Sequence, residues 1–204
     1  MESRGRVAKE AARLLYTGAS EEYMQAKERA ARSLGVDAMP SNYEVAVELD
    51  LLAEQSEGDE RRELLVAMRN AALGVMRVLA EHGPVLIGSV WRGTARRGSD
   101  IDIVAYASRP DDVATLLRSA GYHVARSEDA VAVRGGRTVR STHVYLSLGG
   151  GFEAEVVVRP PEERGEEERC EIYGDVKRGI GLRELEKLMK SDPLRKFVPR
   201  RRFR

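Results

Sequence analysis

One stretch, GSVWRGTARRGSDID at residues 88–102, decides the fold of this chain. It lies between two short apolar runs, residues 85–87 and 103–105, and each run predicts a buried strand. Gly88-Ser89 turns the chain out of the first strand into a short predicted helix, which Arg97-Gly98 interrupts. Free backbone N–H groups at such a turn, together with a serine hydroxyl, suit the oxygens of a phosphate group.

Two carboxylates open the second predicted strand. Asp100 and Asp102 are two residues apart, so in a strand their side chains point to the same face. Like charges held this close repel each other unless a cation lies between them. Because carboxylate oxygens are hard ligands, the pair favours Mg²⁺ or Mn²⁺ over zinc.

The joint pattern resembles a known signature. Its members, at the spacing of that signature, are Gly88, Ser89, Gly93, Ser99, Asp100 and Asp102. They resemble the polymerase-β-type nucleotidyltransferase superfamily, and in particular its minimal prokaryotic members. The resemblance implies an α+β (α/β) fold with a mixed sheet, preceded here by an N-terminal helical region. It also implies transfer of a nucleoside monophosphate from an NTP, with ATP as the expected nucleotide.

A third acidic residue is expected from the resemblance on a later strand. Residues 152–158, FEAEVVV, are the candidate strand, on which Glu153 and Glu155 share one face. We favour Glu155, since the family's third acid is commonly followed by apolar residues and then proline. Glu153 remains the alternative, and the glutamate that is not used is expected to be solvated or paired with arginine.

The remaining roles follow from the same resemblance. Asp100, Asp102 and Glu155 are the expected catalytic and metal-binding residues for two Mg²⁺ or Mn²⁺ ions. The expected nucleotide-binding residues are Gly88, Ser89, Arg92, Gly93 and Ser99. Arg96 and Arg97 are expected at an exposed helix end, and Trp91 is expected to pack beneath the short helix rather than to stack on a base.

Other site patterns do not fit the sequence. Gly88 and Gly93 have a P-loop spacing, but Thr94 stands where that loop requires lysine. His82, His123 and His143 lack metal-ligand spacing and a nucleophile partner in the sequence, so we expect them at surface or strand positions. The single cysteine, Cys170, excludes a disulfide framework and a cysteine-cluster zinc site.

The first 82 residues predict helices. Apolar stripes mark one helix that ends at Gly18 and a second that Ser20 caps and Gly35 ends. Ser41 and Glu44 have the spacing of a capping box, which predicts the start of a third helix. Residues 56–59 are a polar break, and a fourth helix follows. Its apolar face comprises Leu64, Leu65, Met68, Ala72, Val75, Met76 and Leu79.

Beyond the motif, the sequence predicts a helix over residues 110–120 and then strands. Residues 130–134 and 137–140 flank Gly135-Gly136 and read as a hairpin. Residues 160–169 are acidic and read as a solvated linker, after which a short amphipathic helix ends at Asp192-Pro193.

The C-terminal tail is basic. It contains Arg195, Lys196, Arg200, Arg201, Arg202 and Arg204, with Phe197 and Phe203 between them. Such a tail could bind RNA phosphates and stack on bases. Docking on an acidic partner or a free terminus fits the same residues.

Composition sets the outer limits. The chain has 204 residues and a net charge of only +1. The net charge therefore does not by itself indicate a nucleic-acid partner. Without a long apolar run or a signal segment, we expect a cytoplasmic protein. We expect residues 1–82 to be an N-terminal helical region, residues 83–160 the catalytic core, and residues 161–204 the linker, short helix and tail.

The leading interpretation is therefore an Mg²⁺-dependent nucleotidyltransferase whose hydroxyl acceptor is an RNA end, a protein or a small molecule. The alternative is a non-catalytic nucleotide- or RNA-binding module, or an antitoxin-type regulatory partner, on the same fold.

Overall fold

The computed structural model describes residues 2–134 and 137–200, with the backbone alone for Arg134 and Arg137. In chain order the helices are α1 (Glu2–Tyr16), α2 (Tyr23–Leu34), α3 (Asn42–Val78), α4 (Gly88–Arg92), α5 (Pro110–Ser119) and α6 (Leu182–Ser191). The strands are β1 (Val85–Ile87), β2 (Ile101–Tyr106), β3 (His123–Arg134), β4 (Arg137–Ser147), β5 (Glu153–Arg159) and β6 (Ile180–Gly181). Short 3-10 turns occupy Ala80–His82, Gly149–Gly151 and Pro161–Glu163.

The strands form one mixed sheet in the order β3-β4-β5-β2-β1-β6. The central pair, β2 and β5, is parallel, and every other neighbouring pair is antiparallel. This confirms the predicted mixed sheet. The hairpin of β3 and β4 is also confirmed, whereas its predicted Gly135-Gly136 turn lies outside the described residues.

Alternation along the central strands separates an apolar face from a polar one. On β2, Ile101, Ile103 and Ala105 are fully buried, and on β5 Ala154, Val156 and Val158 are almost fully buried. These side chains share one core with the C-terminal half of α3 and with α5 and α6. The residues between them on each strand, including the carboxylates, therefore face away from that core.

Helix α3 is interrupted at Gly58, whose φ of 54° and ψ of −126° are not helical. The break lies within the predicted polar interruption at residues 56–59. The buried Arg61 guanidinium reaches back across it, donating to the Asp50 carboxylate at 2.5 Å and to the Glu54 carboxylate at 3.0 Å. The predicted third and fourth helices are thus the two arms of α3.

The residues group into two compact units. One contains the described residues up to Arg61, residues 169–176 and the described residues from Val198 onward; the other contains residues 62–168 and 177–197. This division differs from the boundaries expected from the sequence. Residues 62–82 cluster with the sheet because the apolar face of α3, including Met68 and Met76, packs into the same core as the strands.

Two local expectations are wrong. Ser20 does not cap α2, since Glu22 occupies the N-cap position and Ser20 is buried, with its hydroxyl accepting a hydrogen bond from Arg29. Glu163, expected in a solvated linker, is only 8% exposed within the 3-10 turn. At Ser20 the contact with Arg29 outweighs the local pattern.

Within the described residues, no helix combines the length and the apolar character needed to cross a membrane.

Candidate active site

The polar face of the two parallel central strands carries the carboxylates. In the β2–β5 pairing Asp102 is the register partner of Glu155, and on its other side Asp102 pairs with Ile87 of β1. Side chains of register partners on neighbouring strands share a face. Asp100 lies two residues before Asp102, directly before β2, where it is exposed. The structure therefore brings Asp100, Asp102 and Glu155 together.

Burial and the charges of neighbouring carboxylates raise the pKa values of both aspartates. Burial, followed by the charges of Glu155 and Asp100, raises the pKa of Asp102 to about 7. Burial, followed by the charges of Glu153 and Glu155, raises the pKa of Asp100 as well. Of the two glutamates, only Glu155 has a charge that raises the pKa of both Asp100 and Asp102. This favours Glu155 over Glu153 as the third acid.

Gly88 is in the left-handed region, with φ of 69°, directly after β1. A Cβ built on Gly88 would overlap Oδ2 of Asp102, so only glycine lets the backbone come this close to the carboxylate. Ser89 follows in the first turn of α4. The motif thus places the predicted phosphate-binding turn directly beside the acidic pair.

The other predicted nucleotide-binding residues make contacts within the motif and its surroundings. Arg92 is 4% exposed, and its guanidinium donates to Phe197 O at 3.0 Å. Gly93 ends α4 with φ of 74°. The Ser99 hydroxyl accepts from Arg96 N at 3.0 Å and closes the turn before β2. Roles for these residues toward a nucleotide remain predictions.

The sequence analysis missed a hydrogen-bonded chain on the neighbouring strand β4. Nδ1 of His143 lies 2.7 Å from Oε1 of Glu155, and Nε2 of His143 lies 3.1 Å from the Ser141 hydroxyl. His143 is a strand residue, as expected, but it has the hydrogen-bonding partners that we did not expect. The available signal was Ser141, His143 and Tyr145 alternating on one strand, which is informative only once β4 is known to lie beside β5.

Tyr145 extends this chain toward the acids. It is the register partner of Glu155, and burial followed by its hydrogen bond with Glu155 raises the pKa of the Tyr145 phenol. The Arg126 guanidinium lies 3.9 Å from the centroid of the Tyr145 ring. These residues line a cavity of about 160 Å³ together with Asp100, Glu153 and Glu155. This cavity lies directly beside the carboxylates of Asp100 and Glu155.

The acidic residues fit a divalent cation in part. Their oxygens are hard ligands, and a cation would offset the charges of Glu155 and Asp100, which after burial raise the pKa of Asp102. Yet, among the described residues, no group of three or more His, Cys, Asp or Glu side chains is arranged to hold a metal ion. The Glu155 carboxylate is bonded to His143 instead.

Trp91 packs against part of the C-terminal tail. Trp91 is 7% exposed and packs in the core, as expected. Phe197 stacks on Trp91 with ring centroids 6.2 Å apart, so this part of the tail is not free to stack on a base. Residues 201–204 of the tail lie outside the described residues.

A family model described as "Nucleotidyltransferase domain" matches residues 83–178. The match covers β1, the Gly88-Ser89 turn, Asp100, Asp102 and Glu155. This stretch, slightly under half of the chain, resembles a nucleotidyltransferase domain. The predicted superfamily and fold class are thereby confirmed. No curated protein matches the chain.

Several solved structures resemble part of this chain. The crystal structure of Cid1 poly(U) polymerase is 20% identical, with a TM-score of 0.31, covering 50% of this chain and 31% of that chain. A cytoplasmic RNA terminal U-transferase is 18% identical, with a TM-score of 0.32, covering 57% and 34%. Cid1 in complex with the UTP analogue UMPNPP is 16% identical, with a TM-score of 0.33, covering 52% and 37%. The chain thus spans about a third of the length of these structures.

Proposed function

We propose that this protein is a cytoplasmic, metal-dependent nucleotidyltransferase that moves a nucleoside monophosphate from an NTP to a hydroxyl acceptor. One observation carries the proposal: within the nucleotidyltransferase domain, Asp102 and Glu155 are register partners on parallel strands, and Gly88 lies against Asp102.

Different residues would bind the phosphates and the metal ions. Gly88 and Ser89 bind the β- and γ-phosphates through the backbone and the hydroxyl. Asp100, Asp102 and Glu155 would hold two Mg²⁺ or Mn²⁺ ions, which would neutralise the triphosphate and acidify the acceptor hydroxyl.

The transfer is an in-line displacement. The acceptor oxygen bonds to the α-phosphorus while the bond from that phosphorus to the bridging oxygen breaks, and pyrophosphate leaves. Glu155 is placed to take the acceptor's proton, and its hydrogen bond to His143 fixes the direction of its carboxylate.

The acceptor enters, in this proposal, through the cavity beside Tyr145 and Arg126. The cavity is small, so an acceptor would insert a terminal hydroxyl group rather than a folded surface. An RNA end, a flexible protein segment and a small molecule each meet that condition.

Label transfer tests the proposal. Each of the four α-labelled NTPs is incubated with Mg²⁺ and total RNA, lysate protein or a metabolite extract. Wild-type protein is compared with the double variant Asp100→Asn/Asp102→Asn. We expect label to appear only with the wild type, in the fraction that contains the acceptor.

The alternative interpretation has a distinct outcome. A non-catalytic nucleotide-binding module would bind Mg·NTP calorimetrically but transfer no label to any fraction. A wild-type protein that neither labels nor binds any of the four nucleotides would overturn both interpretations.

A further inference from the structure

A single arginine outside the nucleotidyltransferase motif binds both the motif helix and the C-terminal segment. Arg69, on α3, is fully buried. Its guanidinium donates to Val90 O at 3.0 Å and to Trp91 O at 2.8 Å, both on α4. It also donates to Pro193 O at 2.6 Å and to Arg195 O at 3.0 Å. One side chain thus joins α4 to a segment near the C-terminus.

We call this segment, residues 193–197, the strap. Phe197 N donates to Arg92 O at 2.8 Å, and the Arg92 guanidinium donates back to Phe197 O at 3.0 Å. The Phe197 ring stacks on Trp91 at an interplanar angle of 23°. A Cβ on Gly93 would meet a strap carbonyl oxygen at 2.9 Å, so the two backbones are in close contact. The strap therefore packs along the C-terminal end of α4.

Helix α4 needs such support because it spans only Gly88–Arg92. The last carbonyls of any helix lack partners within the helix, and in a helix this short they are most of its carbonyls. Arg69 satisfies two of them, at Val90 and Trp91. The other end of the same helix is Gly88-Ser89, the proposed phosphate-binding turn.

We propose that Arg69 is a positioning residue for nucleotide binding: it fixes α4 against the strap and thereby sets the orientation of Gly88-Ser89. The inference rests on the proposed function. The strap lies beyond residue 178, where the family match ends.

The chemistry of the side chain supports orientation rather than space filling. An apolar side chain of similar volume would fill the site without the cost of burying a charge. The planar guanidinium instead directs donors to two backbone segments at once, which a lysine ammonium on a flexible stem does not reproduce.

The test uses Trp91, the only tryptophan of the chain, as a reporter on α4. The variants are Arg69→Met, Arg69→Lys and Phe197→Ala in the full-length protein. Trp91 emission and acrylamide quenching report strap docking, calorimetry with each of the four Mg·NTPs reports affinity, and far-UV circular dichroism reports folding. Arg61→Met is the matched control, because Arg61 is another buried arginine of α3 and donates to Asp50 and Glu54 of the same helix.

In Arg69→Met we expect red-shifted Trp91 emission, stronger quenching and nucleotide affinity about tenfold weaker, the size of one lost charge-assisted hydrogen bond. Arg69→Lys should restore part of the affinity. Phe197→Ala should shift the emission without touching Arg69, and it replaces Arg69→Met if that variant does not fold. Arg61→Met should leave both the emission and the affinity unchanged.

A folded Arg69→Met that binds nucleotide as tightly as the wild type would overturn the inference, and so would unchanged emission in both Arg69→Met and Phe197→Ala. Failure of the proposed function looks different, since the wild type itself would then transfer no label or bind no nucleotide.

Discussion

The environment of the Asp102 carboxyl makes the stability of the folded protein depend on pH. Its pKa is raised to about 7 by burial and then by the charges of Glu155 and Asp100. In the unfolded chain the value is about 3.9. Protonation of Asp102 therefore stabilises the folded state relative to the unfolded chain. This stabilisation is lost as the pH rises through about 7. Above that pH the metal-free protein bears an unrelieved buried charge.

Asp102→Asn should remove this pH-dependent loss. In EDTA at pH 8 we expect the Tm of the variant to exceed that of the wild type by roughly 5 °C, whereas at pH 4 the two should agree. Differential scanning calorimetry across the pH range measures the difference. Asp37→Asn, in an exposed loop, is the control and should leave the pH profile of Tm unchanged. Equal wild-type and Asp102→Asn profiles would contradict the prediction.

His143 should matter for metal binding although it is not a proposed ligand. Its hydrogen bond of 2.7 Å orients the Glu155 carboxylate. Loss of such a partner commonly weakens metal affinity about 10- to 100-fold. We expect His143→Ala to weaken Mn²⁺ binding, measured by electron paramagnetic resonance, within that range. His82→Ala removes a histidine that contacts Tyr106 O instead and should have no effect. An unchanged Mn²⁺ affinity in His143→Ala would show that Glu155 needs no orienting partner.

The acidic pair could be predicted from sequence, whereas His143 could not, for a physical reason. Asp100 and Asp102 share a face through the local geometry of one strand. The contact between His143 and Glu155 depends on which strand lies beside β5, and that is decided by pairing of segments far apart in the chain.

Among the elements, α3 shows how one glycine shapes a helix. Gly58 has φ of 54° and ψ of −126°, a combination that residues with a Cβ rarely adopt. Gly5, on α1, is in an ordinary helix with open space around its Cβ direction. The two positions form a matched pair for the same substitution.

Gly58→Ala should destabilise the protein by about 1–3 kcal/mol because alanine is strained in that conformation. Gly5→Ala should stabilise it by about 0.5–1 kcal/mol, since alanine loses less backbone entropy in a helix. Urea unfolding followed by circular dichroism measures both. If Gly58→Ala were neutral, the break would not require glycine.

Helices were the most predictable elements because their signals are local. The capping box at Ser41 and Glu44 is present, with Glu44 N donating to the Ser41 hydroxyl at 3.2 Å and Ser41 N donating to the Glu44 carboxylate at 2.8 Å. Gly35 ends α2 in the left-handed conformation. By contrast, Ser20 has the residue type of a cap but is held by Arg29, a contact that spacing does not reveal.

Binding of a ligand should raise the free energy of unfolding of the whole protein. A ligand at 100 times its Kd stabilises the folded state by about 2.7 kcal/mol, which for a chain of this size raises Tm by roughly 5–10 °C. We expect at least one of the four Mg·NTPs to do so in a thermal shift assay. The Asp100→Asn/Asp102→Asn protein should show no such rise, and each NTP without Mg²⁺ should have a smaller effect. A rise of the same size in the double variant would place the nucleotide elsewhere.

The domain boundaries expected from the sequence stay a prediction. The sequence divided the chain at residues 82 and 160, whereas the compact units divide it at Arg61 and split the C-terminal region between them. Composition changes along the chain did mark the acidic and basic segments. They could not show that residues 62–82 share a core with the sheet, because that depends on which apolar faces meet.

The reach of Arg69 also has a consequence for protein synthesis. Its partners Pro193 and Arg195 lie 124 and 126 residues further along the chain. On the ribosome, the sheet strands up to β5 are made long before these residues emerge. Until Pro193 and Arg195 have been made, the acidic residues therefore lie beside an α4 that lacks the strap. Full nucleotide affinity would then be reached only when the strap docks, so it would depend on one of the last contacts of the nucleotide-binding unit to form during synthesis.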